Sequence, residues 1–249
     1  MHTPSDLAAT PWLVSHPDPL QLKAARRSLD EHGDVDRTLL GDALACSWQR
    51  SLRAGLVPQG LRSGGSHASA AQLQRARQQA QALLDHAGPV LDLVLPAVRA
   101  TDGLLLLADA EGTLLHAAGD DHFADRAQRV ALRPGARWSE ALRGTNAIGT
   151  ALADGRPVAV HGAEHFLARN GFLSCCAAPV FGPDGAVRGV VDVSGDHRAW
   201  AARSLSHALG LATLAALLLS LRLFDDLPAD AWRVQLHPDR QGLGSPGQG

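Results

Sequence analysis

The spacing of apolar residues predicts a chain that begins with helices and continues into a sheet. Leu20 to Leu29 forms a short helical patch inside an arm that covers residues 1–35. Asp36 can cap a second helix, which Gly55 would end because glycine tolerates the left-handed conformation at a helix C-terminus. The apolar positions of this second helix recur at helical spacing: Leu39, Leu40, Ala43, Leu44 and Trp48.

A stretch rich in Gly and Ser, residues 60–69, carries little apolar material and predicts a flexible linker. A third helix is predicted from near Ser69 to about His86, with one apolar stripe and a Gln/Arg-rich outer face. Pro89 is predicted to break it, because proline removes a helical hydrogen bond. A further helical segment would start at Val90.

Two β-hairpins follow, each an apolar pair of strands around a turn that contains glycine. The first turn is residues 109–112 and the second is residues 182–185. Between the hairpins, Thr145 to Asp154 predicts a short helix and Val158 to His161 predicts an edge strand. The pattern favours an α+β domain with an antiparallel sheet over a doubly wound one, which needs repeated strand–helix crossovers.

The last element is a long apolar helix, Trp200 to Phe224. Apolar residues spaced alternately four and three positions apart form one stripe along the helix, which we call the first seam. A second apolar seam lies on another face of the helix. We expect the first to cover the sheet and the second to meet a second subunit. A membrane span is not favoured, because the stretch free of polar groups is shorter than the roughly 20 residues a bilayer needs. The first seam is Leu205, Leu209, Ala212, Ala216, Leu219 and Leu223, and the second is Leu211, Leu214, Leu218 and Leu221.

Composition narrows the class of protein. The chain has 249 residues, a formal net charge of −2 and a pI near 6.6, which argues against direct nucleic-acid binding. Three cysteines do not form a disulfide framework, and the N-terminus lacks the pattern of a signal peptide. These features predict a cytoplasmic protein.

The glycine-punctuated run Gly144 to Thr150 invites comparison with phosphate-binding loops. It lacks the Lys-Ser/Thr pair of a Walker sequence, and no strand feeds directly into it, so neither a P-loop nor a dinucleotide site is predicted. Two interpretations remain open. The run is either a helix cap with structural glycines, or a tight loop that walls an apolar cavity under Trp138.

Metal, cofactor and catalytic chemistry find little support. Cys175 and Cys176 are adjacent in a strand, so their side chains point to opposite faces. Only His161 and His165 have helical ligand spacing, and they straddle a strand end. Isolated carboxylates and serines outside nucleophile elbows do not make a catalytic set. We therefore expect no metal, no cofactor and no enzymatic activity.

With these residues in place, the stretch from about Ser47 to His197 resembles the N-terminal sensory region of acetoin-catabolism-regulator-type bacterial enhancer-binding activators. The matching segments are long, ordered and specific. They are Ser47-Trp48-Gln49-Arg50-Ser51 with Gly55-Leu56, Trp138-Ser139-Glu140, Gly144-Thr145-Asn146-Ala147-Ile148-Gly149-Thr150, Pro157-Val158, Gly162-Ala163-Glu164-His165-Phe166, the Cys-Ala-Ala-Pro of residues 176–179, and Gly189 to Gly195.

The resemblance implies a GAF fold, an antiparallel sheet of about six strands flanked by helices. It suggests an arm at residues 1–68, a sensory domain at 69–225, and a linker or the start of a further domain at 226–249. In the family this domain binds a small effector and controls an ATPase and a DNA-binding domain. This chain has no Walker sequence and no terminal helix-turn-helix, so we expect either a fragment of a longer activator or a stand-alone sensor.

The hypothesis is a homodimeric module, joined through its terminal helices, that senses a small ketone, diol or alcohol. One alternative is a thiol enzyme similar to free methionine sulfoxide reductase, and another is a metal or haem sensor. The expected pocket is lined by Trp138, Asn146, Ile148, His165, Phe166, Phe172, Cys175 and Cys176.

Overall fold

The computed structural model describes residues 17–60, 67–200 and 202–226, which form eight α-helices and five β-strands. Predictions about residues 1–16, the linker at 61–66 and the tail from 227 onward lie outside the described residues. The helices are α1 (Pro19–His32), α2 (Asp42–Arg53), α3 (Ala70–Gln79), α4 (Gln81–Arg99), α5 (Asp121–Ala127), α6 (Glu140–Arg143), α7 (Ala147–Asp154) and α8 (Ala202–Asp225). The strands are β1 (Leu104–Asp109), β2 (Leu114–Gly119), β3 (Val158–His161), β4 (Leu173–Phe181) and β5 (Val187–Asp196).

The strands form one antiparallel sheet in the order β2-β1-β5-β4-β3. Both predicted hairpins are present, and β1 also pairs with β5, which joins them at the centre of the sheet. The predicted edge strand is confirmed as β3. The described sheet has five strands rather than about six. Arg137 makes an isolated bridge with Thr113 outside the named strands.

The sheet is covered on both faces, which we call the outer face and the inner face. Leu105 and Leu107 of β1 lie on the outer face, in a core with residues of α4 and α8. Leu104 and Leu106 lie on the inner face, in a second core that includes α7 and Trp138. Because successive side chains of a strand point to opposite faces, the apolar run in β1 serves both cores.

The N-terminal helices pack onto the same domain and form a third apolar cluster around Trp48 and Phe166. Helix α1 confirms the predicted helical patch. The prediction that Asp36 starts α2 is wrong, because its carboxylate accepts hydrogen bonds from the amide and hydroxyl of Thr38 and closes a turn instead. Helix α2 begins at Asp42, and Gly55, with a φ of 75°, ends the helical region as expected.

The predicted break at Pro89 is also wrong. The chain breaks at Ala80 instead, and α4 runs through both Pro89 and Pro96. Both prolines are exposed, so the helical hydrogen bond that each proline removes is lost on the solvent-facing side of α4. The opposite side of α4 is anchored to the outer core by six buried side chains, which outweigh that cost: Leu83, Ala87, Val90, Leu91, Val94 and Val98.

Helix α8 confirms the first seam, since all six of its residues are buried on the outer core. The second seam is divided: Leu214 and Leu221 are 47% and 51% exposed, whereas Leu211 and Leu218 pack against the outer core. Within the described residues, Ser204–Asp225 is the one helix long and apolar enough to cross a bilayer, with a mean hydropathy of 1.7. Length therefore does not argue against a span, but 44% of that window is buried inside the domain.

Two glycine-to-alanine substitutions test the outer packing with opposite expected signs. A Cβ at Gly195 would lie 2.1 Å from Cε2 of Trp200, whose indole N–H is held by the carbonyl of Thr101. Gly195→Ala should therefore lower the free energy of unfolding by about 1–3 kcal/mol. Gly210→Ala, in an open position of α8, should raise it by up to about 1 kcal/mol. Urea unfolding measures both, and a neutral Gly195→Ala would contradict the close packing on Trp200.

Candidate functional site

The glycine-punctuated run forms the N-terminal cap of α7. The Asn146 carboxamide accepts a hydrogen bond from the amide of Gly149 at 2.9 Å and donates one to the carbonyl of Gly144 at 2.8 Å. A Cβ at Gly149 would lie 2.6 Å from the amide nitrogen of Glu140 and 2.7 Å from the carbonyl oxygen of Trp138. Glycine is therefore required here so that α7 can lie directly against the segment that carries Trp138.

The inner face brings together part of the predicted pocket. Trp138, Ile148 and Cys175 lie in one buried cluster, and Phe172 packs against its margin. The indole N–H of Trp138 donates to the carbonyl of Ala131 at 3.1 Å, which holds the ring in place over the cluster. Helix α7 packs against β4 and β5, and Trp138 lies in the same inner core; we call Trp138 and α7 the roof of the inner face.

The other predicted pocket residues lie elsewhere. Phe166 belongs to the N-terminal cluster, where its ring packs edge-to-face on Trp48 with centroids 6.3 Å apart. Cys176 lies on the outer face, and its thiol contacts the carbonyl of Leu205 in α8 at 3.4 Å. Asn146 is occupied as the cap described above. The eight residues therefore do not line one continuous wall.

Asp192 and Ser194 complete the inner face, and the sequence analysis did not include them in the site. They follow Val190 at alternate positions of β5, so all three point to the inner face. Ser194 pairs in register with Cys175, and its hydroxyl donates to Oδ2 of Asp192 at 2.5 Å. The signal that could have identified them is this alternation, which places a carboxyl group in the middle of an apolar strand.

The carboxyl group of Asp192 is 1% exposed. Burial raises its pKa to about 7, against the opposing effect of the Ser194 hydrogen bond. Its Oδ1 atom has no hydrogen-bond partner among the described residues. A buried polar atom without a partner costs free energy unless a ligand or water satisfies it.

Further buried polar groups lie near the end of β3. His165 is completely buried, and burial lowers its pKa to about 4, so the ring is neutral at physiological pH. Its Nδ1 lies 3.0 Å from the carbonyl oxygen of Gly162, while Nε2 and both side-chain polar atoms of Asn170 lack partners in the described structure. Nowhere in residues 17–60, 67–200 and 202–226 do three His, Cys, Asp or Glu side chains converge on a metal position.

A polar cluster ties α2 to α6 and α7. The hydroxyls of Ser47 and Thr150 both donate to Oε1 of Glu140, at 2.5 and 2.7 Å. Ser47 also lies 2.7 Å from the hydroxyl of Thr145. The Arg50 guanidinium donates hydrogen bonds to both carboxylate oxygens of Glu140. These bonds raise the pKa of Arg50. We call these five residues the Glu140 cluster.

Helices α1 and α2 also contact the loop after β3. The indole N–H of Trp48 donates to the carbonyl of Glu164 at 2.8 Å. Arg26 of α1 stacks 4.4 Å above the Trp48 ring and donates to the carbonyls of Ala163, His165 and Phe166. The Ser-Trp-Gln-Arg-Ser segment therefore acts as a docking element between α2 and the domain.

The cysteines do not favour thiol chemistry. Cys175 and Cys176 point to opposite faces, as predicted, and burial raises the pKa of each well above its ordinary value. Both are therefore protonated at neutral pH, whereas thiol catalysis needs a thiolate. Cys46 lies in α2, where its sulfur is 2.9 Å from a guanidinium nitrogen of Arg37.

The comparisons with known proteins agree with this architecture. The sequence profile of the GAF domain matches residues 71–223. The acetoin dehydrogenase operon transcriptional activator AcoR of Bacillus subtilis (strain 168) is 35% identical over 184 residues, which is 74% of this chain and 30% of that protein. The propane 2-monooxygenase operon transcriptional activator MimR of Mycolicibacterium smegmatis is 29% identical over 187 residues, 73% of this chain and 30% of that protein.

Among solved structures, the E. coli DhaR(N)-DhaL complex contains a chain that superposes with a TM-score of 0.64 at 20% identity, over 72% of this chain and 61% of that one. At this identity the likeness shows the fold alone. The family resemblance read from the sequence is confirmed, and this chain spans less than a third of the length of the two activators.

The Glu140 cluster generates a stability prediction. Glu140→Gln should lower the free energy of unfolding by about 1–2 kcal/mol, because it removes the charge that pairs with Arg50. The expected loss of stability is moderate because the Arg50 side chain is 33% exposed, and solvent screens its interaction with Glu140. Arg188→Gln, which removes the exposed pair with Asp184, is the control and should change stability little. Equal urea midpoints for the two variants would contradict a structural role for the cluster.

Proposed function

This chain belongs to the GAF domain family, and we propose that it is the small-molecule-sensing regulatory module of a bacterial transcriptional activator. Relatives that activate operons for acetoin and propane metabolism support the regulatory part of this proposal. The proposal assigns residues 69–225 to the sensor, with residues 1–68 as a docking arm and residues 226–249 as a connection. It includes a cytoplasmic location and assigns neither catalysis, ATP hydrolysis nor DNA binding to these residues.

The observation that carries the proposal is one buried polar atom without a partner among the described residues, Oδ1 of Asp192, which lies on the same face of the sheet as the apolar roof. Asp192, Ser194 and Cys175 provide hydrogen-bonding groups on the inner face, and Trp138 and Ile148 provide the apolar cover. A site with a few polar groups in an apolar surround suits a small, mostly apolar ligand. A short ketone, diol or alcohol fits this description.

The same arrangement suggests how occupancy is transmitted. Since Asp192 is 1% exposed, a ligand reaches it only if the roof formed by Trp138 and α7 shifts. Movement of α7 would displace Thr150, which contacts Glu140 and through it α2. Binding would then favour one arrangement of the helices over another, as a population shift requires.

We also propose that the exposed stripe of α8 joins two copies of this chain. Its exposed apolar residues are spaced three and four apart, the spacing of a coiled-coil seam, and the opposite side of the helix is already buried. An identical stripe on a second copy is self-complementary about a two-fold axis. The stripe consists of Leu214, Leu217, Leu221 and Phe224.

Effector binding is tested by isothermal titration of the full chain with acetoin, butane-2,3-diol and 2-propanol. Cys175→Met and Cys176→Met form a matched pair, because they introduce the same bulk on opposite faces. Cys175→Met should weaken binding at least about tenfold by filling the inner site, whereas Cys176→Met should affect stability but not affinity. Absence of binding across the panel, or equal effects of the two variants, would contradict the proposed site.

Dimerisation is tested by sedimentation velocity. The wild-type chain should sediment as a dimer and Leu217→Glu as a monomer, because the substitution places a charge in the seam. Leu20→Glu changes a leucine of α1 that is 77% exposed and should leave the dimer intact. A monomeric wild type would refute the self-association, and partition into liposomes would instead assign the stripe to a membrane surface.

A further inference from the structure

We propose that Asp192 selects the effector by charge, acting as an uncharged carboxylic acid that hydrogen-bonds a small neutral carbonyl or hydroxyl compound and excludes carboxylates. This inference rests on the proposed function and specifies the ligand class of the same site. It makes Asp192, whose buried Oδ1 has no partner among the described residues, the specificity-determining residue of the proposed inner-face site.

The position of Asp192 supports this role. It lies at the centre of the sheet, opposite Leu106 of β1 and Ala177 of β4. Oδ2 is engaged by Ser194, so Oδ1 is the atom available to a ligand. Helix α7 lies across β4 and β5 and provides only uncharged side chains between Ala147 and Ala153. A ligand beneath α7 would therefore meet one carboxyl group in an otherwise uncharged surround.

The carboxylates at the ends of α7, β5 and β1 are committed to other partners. Asp154, at the end of α7, pairs with Arg50, and Asp196, at the end of β5, pairs with Arg126. Asp109, at the far end of β1, accepts from the amides of its own turn.

Among the described residues, no basic group lowers the pKa of Asp192, which is set by burial and by the Ser194 hydrogen bond. Arg143 lies 5.2 Å from the Trp138 ring, on the roof. Cys175, on the same face, and Cys176, on the outer face, are both neutral because burial raises their pKa values. His165 is neutral because burial lowers its pKa.

The protonation state follows from this environment. Burial raises the pKa of Asp192 to about 7, so the group is largely protonated below neutrality and can donate to a carbonyl oxygen. A ligand carboxylate would have to lose its hydration in a site that offers no cationic partner among the described residues, which opposes binding at either pH. Above neutrality the ionised Asp192 would also repel it. A neutral ketone, alcohol or amide of the same shape as that carboxylate carries no charge, so neither desolvation of a charge nor repulsion opposes its binding.

Three probes of similar size separate charge from shape: lactamide, lactate and butanone. Their binding to the full chain is measured by titration calorimetry at pH 6 and pH 8. Lactamide should bind at least about tenfold more tightly than lactate, the charged analogue. Butanone, which can only accept, should bind about tenfold more weakly at pH 8 than at pH 6, because a group with a pKa near 7 is mostly ionised at pH 8.

Two variants identify the residue responsible. Asp192→Asn keeps the shape and a donor but cannot ionise, so butanone should bind it equally at both pH values. Asp184→Asn changes an exposed turn carboxylate and should behave as the wild type. Lactate binding as tightly as lactamide, or a pH dependence that persists in Asp192→Asn, would overturn the inference and leave the sensor function standing. If no neutral probe binds, the proposed function itself fails.

Unfolding provides a readout that needs no ligand. Because the folded-state pKa of Asp192 lies above its ordinary value of 3.8, its contribution to stability is present at low pH and is lost as the pH rises through about 7. The wild type should therefore lose stability relative to Asp192→Asn as the pH rises from about 4 to 7. His165 has the opposite dependence in both proteins, so it cancels in the comparison. Parallel curves would show that Asp192 is not held neutral and would refute the inference.

Discussion

Glu140 brings a carboxylate into the interior, where it is 7% exposed, and the positions of α2, α6 and α7 depend on how it is compensated. A buried carboxylate without partners would cost several kcal/mol. Two hydroxyls from different helices and the Arg50 guanidinium provide the compensation, and each can do so only if its helix is docked. The need to satisfy one charge therefore couples the N-terminal helices to the cap of α7.

The sheet separates the proposed ligand site from the proposed dimer contact, because each of its two faces packs in a core of its own. The outer face is closed by α4 and α8, which leaves the stripe Leu214, Leu217, Leu221 and Phe224 of α8 at the surface. The inner face carries the buried carboxyl group of Asp192, on the side packed by α7 and Trp138. Strands β4 and β5 contribute side chains to both cores. In the proposed sensor, a change on the inner face would therefore reach α8 through these strands and would reach α2 through the Glu140 cluster.

Several elements could be predicted because local chemistry decides them. The Asn146 cap and the Gly155 stop define α7 from within its own sequence, and the glycine turns define both hairpins. The break at Pro89 could not be predicted correctly, because the outcome depended on the buried side of α4, which lies far away in sequence. The prediction that Asp36 caps α2 was wrong for a related reason, because an aspartate side chain can accept hydrogen bonds equally well in a turn or in a helix cap.

The candidate site shows the same division. Patterning by itself determined the fold class and the opposite orientations of Cys175 and Cys176, because strand alternation is a property of the backbone. The family followed from the resemblance of particular sequence segments. Only the tertiary structure decided that Phe166 packs on Trp48, that the Ser-Trp-Gln-Arg-Ser segment is a docking element, and that Oδ1 of Asp192 is buried without a partner among the described residues. Burial and hydrogen-bond partners are set by contacts between distant segments, and no local pattern encodes the desolvation that changes a carboxylate into a neutral acid.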